Sequence, residues 1–413
     1  MGRKISDLHS MPSNDILSQE YAILCPCGTI SPGFRNDVFY ISRTEKLKGV
    51  MDSTLKENVS KRHDKDAVLL DTTLRDGSYT NNFSFTKDDT RAIVSALDEA
   101  GFQFIEVGHG VGLNASNSGK GEAVHTDLEY ISTAVNAAKN AKIGVFCIPG
   151  IARICDVEAA RAAGLSFIRI GVNATDVERG MPYIKRARDL GLMVFVNYMK
   201  SYAVSPKFFA SLVVKTEDYG AHCAYIVDSA GGMFPEQIQT YCEEIRKHSN
   251  IPLGFHGHNN LSLAVSNTLC AYDAGVKYLD VSLQGLGRSA GNTASEQLVA
   301  VLNKKFGYDK IDLMKLIEIS QRYIIPLKLN QIIPPLDVIA GFANFHSSYM
   351  RTIQRAAAKY SANPLLLIIE WCKVDQVNLD VAKLEKIAKK LADTAPMLSE
   401  NFNFSRYYGN EQN

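Results

Sequence analysis

What the sequence lacks first is a surplus of charge. Its 45 Lys and Arg stand against 44 Asp and Glu, a net charge of +1. The two signs are interleaved, as at Lys383, Glu385 and Lys386. No global field is left to recruit nucleic acid or an acidic membrane, and neither is expected as a partner. Long apolar runs are missing too: nothing approaches the ~18 uninterrupted apolar residues of a membrane span. The N-terminus carries Asp7, Asp15 and Glu20 where a secretory signal would have an apolar core. Met1-Gly2 with Ser6 matches the myristoylation pattern in form only, because so short a match arises by chance. The eight cysteines are scattered, mostly inside apolar runs, and Cys25-Pro26-Cys27 is the one close pair. That excludes a disulfide framework and gives no second half to a zinc site; it suits reduced thiols in a cytoplasmic enzyme.

What is present is the balance of a globular protein able to bury a large core, 46% hydrophobic and 22% charged over 413 residues. Residues 1–66 show no sustained period and end in a charged stretch (Lys56, Glu57, Lys61, Arg62, His63, Asp64, Lys65, Asp66) that reads as a solvated connector to an N-terminal extension. From Val68 the pattern changes to short apolar runs: Val68–Asp71, Phe104–Val107, Ile143–Ile148, Phe167–Ile170, Met193–Asn197, Ala224–Val227, Leu253–His256 and Tyr278–Val281. Amphipathic stretches separate them, and Gly101, Gly164, Gly191, Gly220 and Gly275 sit where helices should end. Eight buried strands alternating with helices predict an α/β fold, a TIM (β/α)8 barrel over 67–305, with an open doubly wound sheet as the alternative. Beyond it, 306–400 reads as a helical C-terminal domain interrupted by Pro326 and Pro334-Pro335.

In a barrel, chemistry collects where strands end at their C-terminal face. Arg75 and Asp76 follow the first strand, Glu106 and His109 the second, and Ser229 the sixth. His256 and His258 follow the seventh, and Gly285, Gly287, Arg288, Gly291 and Asn292 the eighth. Residues i and i+2 of a strand share a face, so both histidines should look into the barrel mouth. With a carboxylate from the neighbouring first strand they read either as a three-ligand metal site or as hydrogen-bonded histidines in a polar pocket. Arg75 could grip a carboxylate or steady an enolate oxygen. The glycine-rich loop could cradle phosphate or only permit a turn that aims Asn292 at a metal, and the second reading is preferred.

Leu74-Arg75-Asp76-Gly77, Ile105-Glu106-Val107, His256-x-His258-Asn259-Asn260 and Gly285-x-Gly287…Gly291-Asn292 together resemble the DRE-TIM metallolyases. Within them Glu106-Val-Gly-His109-Gly-Val-Gly112, Asp228-Ser229-Ala-Gly-Gly232 and Gly341-Phe-Ala-Asn-Phe-His346 are most similar to the 4-hydroxy-2-oxovalerate aldolase branch, over about residues 67–390. The resemblance implies retro-aldol cleavage of a small 2-oxo acid through a pyruvate enolate. It implies a divalent cation, manganese foremost with magnesium or cobalt as alternatives, held by Asp76, His256 and His258. Asn292 matches a fourth ligand of related acyl-CoA lyases. Arg75, Ser229 and Glu106 are the implied substrate contacts. An acylating aldehyde dehydrogenase docking on residues 339–392, and a homo-oligomer, are the implied partners.

Two departures stand out. The branch has a catalytic histidine where this chain has Tyr79, and its C-terminal tyrosines are replaced by Phe342 and His346. Tyrosine, with an ordinary pKa of about 10, is a better hydrogen-bond donor than base. Proton transfer is therefore expected from His109 or His346, with Arg75 and Tyr79 completing the catalytic set. A Claisen-type synthase would want Glu or Gln where Ser78-Tyr79 stands, and an acyl-CoA lyase a cysteine where Arg288-Ser289-Ala290 stands. A two-histidine, one-carboxylate iron oxygenase and a catalytically altered barrel kept as a binding partner are the remaining alternatives.

Overall fold

The computed structural model describes residues 67–327, 333–394 and 402–407. The expected extension over 1–66 lies outside the described residues, as do Cys25 and Cys27. Eight parallel strands close into a barrel in chain order. They are β1 (Val68–Asp71), β2 (Phe104–Glu106), β3 (Lys142–Cys147), β4 (Phe167–Asn173), β5 (Met193–Met199), β6 (Cys223–Asp228), β7 (Leu253–Gly257) and β8 (Tyr278–Val281). β8 closes on β1, with Val68 opposite Tyr278 and Asp71 opposite Val281. Helices follow each strand: α1 (Lys87–Ala100), α2 (Asp127–Ala137), α3 (Ile154–Ala162), α4 (Met181–Asp189), α5 (Pro206–Asp218), α6 (Pro235–Arg246), α7 (Ala264–Asp273) and α8 (Ser295–Phe306). The five glycines expected at helix ends all have positive φ. At Gly101 a Cβ would also lie 2.4 Å from the Lys310 carbonyl, so no side chain fits there.

Alternation along each strand splits the core in two. Leu69, Ile105, Ile168, Val194, Ile226 and Leu279 pack outward with the helices. Their neighbours Leu70, Phe104, Phe167, Phe195, Tyr225 and Tyr278 form a separate cluster that fills the barrel's interior. The rings interlock, with Phe195 and Tyr278 centroids 4.8 Å apart and Phe104 edge-on to Phe167 at 5.3 Å. Gly144 and Gly254 make that possible: a Cβ on either would fall 2.2–2.3 Å from the Phe167 or Tyr225 ring.

After the barrel come α9 (Leu313–Ile319), α10 (Pro335–Ala343), α11 (Met350–Tyr360), α12 (Pro364–Cys372) and α13 (Val381–Thr394). Leu316, Ile319 and Ile324 belong to the barrel's outer apolar cluster, because α9 lies against α1 and α8. A second apolar cluster begins at Leu336 and is built from α10 to α13 with Phe404 and Tyr407. The apolar cores thus part between Leu327 and Leu336, later than residue 305. No described helix is long and apolar enough to cross a membrane.

Candidate metal centre at the barrel mouth

β1 ends at Asp71, whose carboxylate accepts from Thr73 N and Oγ1 and so turns the chain sharply. A 3-10 turn from Asp76 to Asn81 then delivers Arg75, Asp76 and Tyr79 to the mouth. His256 closes β7 from within the strand, and His258 follows it, bridged to Asn292. Both are buried, as is Asp76, and one ligand atom from each of the three lies within 4.8 Å of the others. The spacing argument therefore holds: i and i+2 reach the same space, ring centroids 5.0 Å apart.

The donor set suits a divalent cation. His256 Nδ1 faces the Asp280 carboxylate at 2.8 Å, and a carboxylate can only accept. Nδ1 therefore carries the proton, and the Nε2 lone pair is free for a metal. His258 Nδ1 faces the Gly291 carbonyl at 3.2 Å, with the same consequence. Burial, opposed by Asp76, pushes His258 down to about 3, so it stays a neutral ligand. Burial would raise Asp76, but Arg75, then both histidines and Arg288, hold it well below the ordinary carboxylate range. A neutral, neutral, anionic set with fixed tautomers is what a hard or borderline divalent ion takes. Asn292 stands apart. Its Nδ2 turns to the Leu286 carbonyl at 3.2 Å, it borders a neighbouring cavity behind the β8 loop, and its buried Oδ1 has no partner among the described residues.

Beneath the triad runs a chain of buried charges. Arg75 Nε donates to Glu106 at 2.7 Å, and Arg169 Nη1 donates to the same oxygen at 2.9 Å. Arg169 Nη2 donates to Asp280, which in turn holds His256. Arg75 Nη1 also donates to Asp76 at 2.5 Å, closing the link back to the ligands. Glu106 accordingly anchors Arg75 from below rather than lining the cavity. Arg169 and Asp280 were missed at the sequence level because they sit inside apolar strands. A charge in mid-strand is itself the signal, since it is tolerated in a barrel only if paired.

Above the triad, a small cavity is lined by Arg75, Asp76, Tyr79, Ser229, His256, His258 and Arg288, among others, with Phe146, Ile148 and Val227 as apolar walls. Arg75 stacks on Phe146, its carbon 4.8 Å from the ring centre. Ser229 Oγ accepts from Lys200 N at 2.9 Å. Arg288, unweighted as a site residue in the sequence, is held by its backbone N to Asp76 Oδ2 at 3.3 Å, and its guanidinium lies 5.9 Å from the Tyr79 ring centre.

The two histidines expected to move protons are placed differently. His109 is absent from the cavity wall: its ring stacks on Phe83 at 3.8 Å, Nδ1 accepts from Val111 N, and Nε2 faces the Gly121 carbonyl. Burial lowers it to about 4, so it is a neutral strut of the β2 loop. His346 does reach the mouth from the C-terminal helices, with Nε2 2.6 Å from Arg288 Nη2 and Nδ1 2.7 Å from Ser348 Oγ. Burial, then Arg288, keeps it well below the ordinary histidine value. Phe342 is 67% exposed and takes no part.

Residues 67–322 match the model of the HMGL-like family. The chain is 40% identical over 294 residues to an oxaloacetate decarboxylase of Mycobacterium tuberculosis, covering 71% of this chain and 87% of that one. It is 37% identical over 326 residues to 4-hydroxy-2-oxovalerate aldolase 2 of Nocardia farcinica, covering 79% and 94%. In fold it is similar to the carboxyl transferase domain of Rhizobium etli pyruvate carboxylase, at 15% identity and a TM-score of 0.64 over 91% of this chain and 69% of that one.

Proposed function

The chain belongs to the HMGL-like family, and on that premise we propose that it is a carbon–carbon lyase, an aldolase that cleaves or forms a 4-hydroxy-2-oxo acid through a pyruvate enolate. The observation that carries this reading is the buried Asp76, His256 and His258 triad beside Arg75 at the mouth of the barrel. Curated relatives at 35–37% identity named 4-hydroxy-2-oxovalerate aldolase support it. We assign the metal to those three residues and favour manganese. When bound there, such an ion supplies Lewis-acid polarisation of the 2-oxo group.

The chain's own residues then divide the remaining work. Arg75 has Nε on Glu106 and Nη1 on Asp76, which leaves Nη2 for an enolate oxygen or a carboxylate in the cavity. Ser229 contributes a hydroxyl to the substrate carboxylate. To Tyr79, which lines the cavity, we assign a hydrogen bond to the oxygen on C4. Glu106, Arg169 and Asp280 fix the tautomer and aim of His256. The apolar wall of Phe146, Ile148 and Val227 keeps the dielectric low, where each of these interactions is strongest. A homo-oligomer in the cytoplasm, docking an acylating aldehyde dehydrogenase on the helices after Ile339, completes the reading.

A second reading has one observation in its favour. Neither His109 nor His346 offers an unengaged ring nitrogen to the cavity. Retro-aldol cleavage must place the 4-hydroxyl proton on a base, whereas decarboxylation of a four-carbon 2-oxo diacid, whose second carboxylate is carried on C3, reaches the same enolate with release of CO2 and no such proton. The relative named oxaloacetate decarboxylase fits this variant.

One assay tests both. Pyruvate release, coupled to lactate dehydrogenase, is followed from 4-hydroxy-2-oxo acids and from oxaloacetate, with manganese or with chelator. Metal-dependent pyruvate is expected, falling at least about 1000-fold in His256→Ala. Pyruvate formation untouched by chelator and by His256→Ala sinks the assignment.

A further inference from the structure

The cavity holds two arginines, and only one is spoken for. Arg75 is paired with both Asp76 and Glu106, and Arg169 below it with Glu106 and Asp280. Arg288 lines the same cavity with no carboxylate at ion-pair distance among the described residues. Its side-chain neighbours are the imidazole of His346 and the face of Tyr79. A neutral imidazole offers one lone pair, so at most one of the guanidinium's five N–H donors is used there. The remaining donors stay beside the triad, in a partly apolar enclosure where an uncompensated charge is costly.

From this we propose that Arg288 binds a second carboxylate on the substrate, so that the enzyme's preferred substrate is a four- or five-carbon 2-oxo diacid. The proposal rests on the reading that this cavity takes a 2-oxo acid at all. The 2-oxo acid end belongs to the triad, Arg75 and Ser229. The far end of a short diacid then meets the guanidinium, whose planar fork matches a carboxylate. Lys200 is unavailable: it is fully buried, and its Nζ donates to the Val377 carbonyl at 2.6 Å. His346 is a positioning residue in this arrangement, since it acts on Arg288 and lies under it with Ser348.

The test is calorimetric titration of the manganese-loaded protein with 2-oxoglutarate and with 2-oxopentanoate, which differ only in carboxylate against methyl at the far end. Wild type should bind 2-oxoglutarate about 10- to 100-fold more tightly, the range for a charge-assisted hydrogen bond. Arg288→Leu should bring that ratio close to one, and Arg288→Lys should restore part of it. His346→Gln, which keeps an acceptor for the guanidinium, should preserve most of the preference. Equal affinities in wild type, or an Arg288→Leu protein that weakens both ligands alike, overturn the proposal while leaving the 2-oxo acid site standing. If wild type binds neither acid, the proposal and the reading beneath it both fall.

Discussion

At the floor of the barrel Phe104, Phe167, Phe195, Tyr225 and Tyr278 meet ring against ring, and van der Waals contact is all they need. A few residues further along the same strands, Glu106, Arg169 and Asp280 meet charge against charge, and each depends on a named partner. Both layers are almost wholly buried, so burial does not separate them. The difference is tolerance. An aromatic floor can be repacked, because its energy scales with area and fit. A buried ion layer fails when one member leaves, because the others are stranded. Arg169 is the hinge between the two, stacked 4.5 Å over the Tyr225 ring while gripping both carboxylates.

That contrast can be broken in three places. Arg169→Met should produce the largest effect, about 3–5 kcal/mol lost in denaturant unfolding, because Asp280 keeps only the His256 imidazole and Glu106 only Arg75, with one buried cation fewer to balance them. Metal affinity should fall with it as His256 loses its orientation; an unfolding midpoint like that of wild type would show that the ion layer is dispensable. Lys200 comes next. Burial, then the Arg288 charge, pushes its ammonium down to about 7 from 10.5. Between those values the unfolded chain binds the proton more strongly than the fold does, so the cost of burying Lys200 is full below about pH 7 and vanishes towards 10.5. Wild type should therefore gain stability relative to Lys200→Met as pH rises through that window, by on the order of 5 kcal/mol. The Val377 carbonyl keeps Tyr349 as a donor in the variant, so little else changes. A difference flat with pH would mean that the amine is charged in the fold. Tyr225→Phe should be the smallest. The Tyr225 hydroxyl is buried with no partner among the described residues, so its removal should shift stability by less than about 1 kcal/mol, in the favourable direction if at all. A clear loss there would place a polar requirement in the floor.

The sequence made the strands legible because parallel barrel strands are buried on both faces and stand out as unbroken apolar runs. Val68–Asp71 and Tyr278–Val281 coincide with β1 and β8, and the other six agree within a few residues. Asp76, His256 and His258 were legible for a geometric reason, since strand ends at one face of a closed barrel must converge. Arg169 and Asp280 were hidden by the same rule that revealed the strands: within Phe-Ile-Arg-Ile and Tyr-Leu-Asp-Val they vanish into apolar runs, and their partners lie on other strands. His109 misled because its position after β2 says mouth, while the loop folds its ring back onto Phe83. Arg288 could not be valued from sequence, because only the fold shows that its side-chain neighbours are His346 and the Tyr79 ring, with no carboxylate at ion-pair distance among the described residues.

The β8 loop that carries Arg288 is fastened from outside the barrel. Ser289 donates to Asp337 at 2.7 Å, Tyr407 donates to the same carboxylate oxygen, Arg406 holds the Ser289 carbonyl, and His346 backs the guanidinium. During synthesis the triad side chains have their orienting partners once β8 and Gly291 have followed, but Arg288 gains its backing only when residues 337–407 come after. The two sides of one cavity are thus finished at different times: the triad side by the barrel, the Arg288 side by helices that are made last.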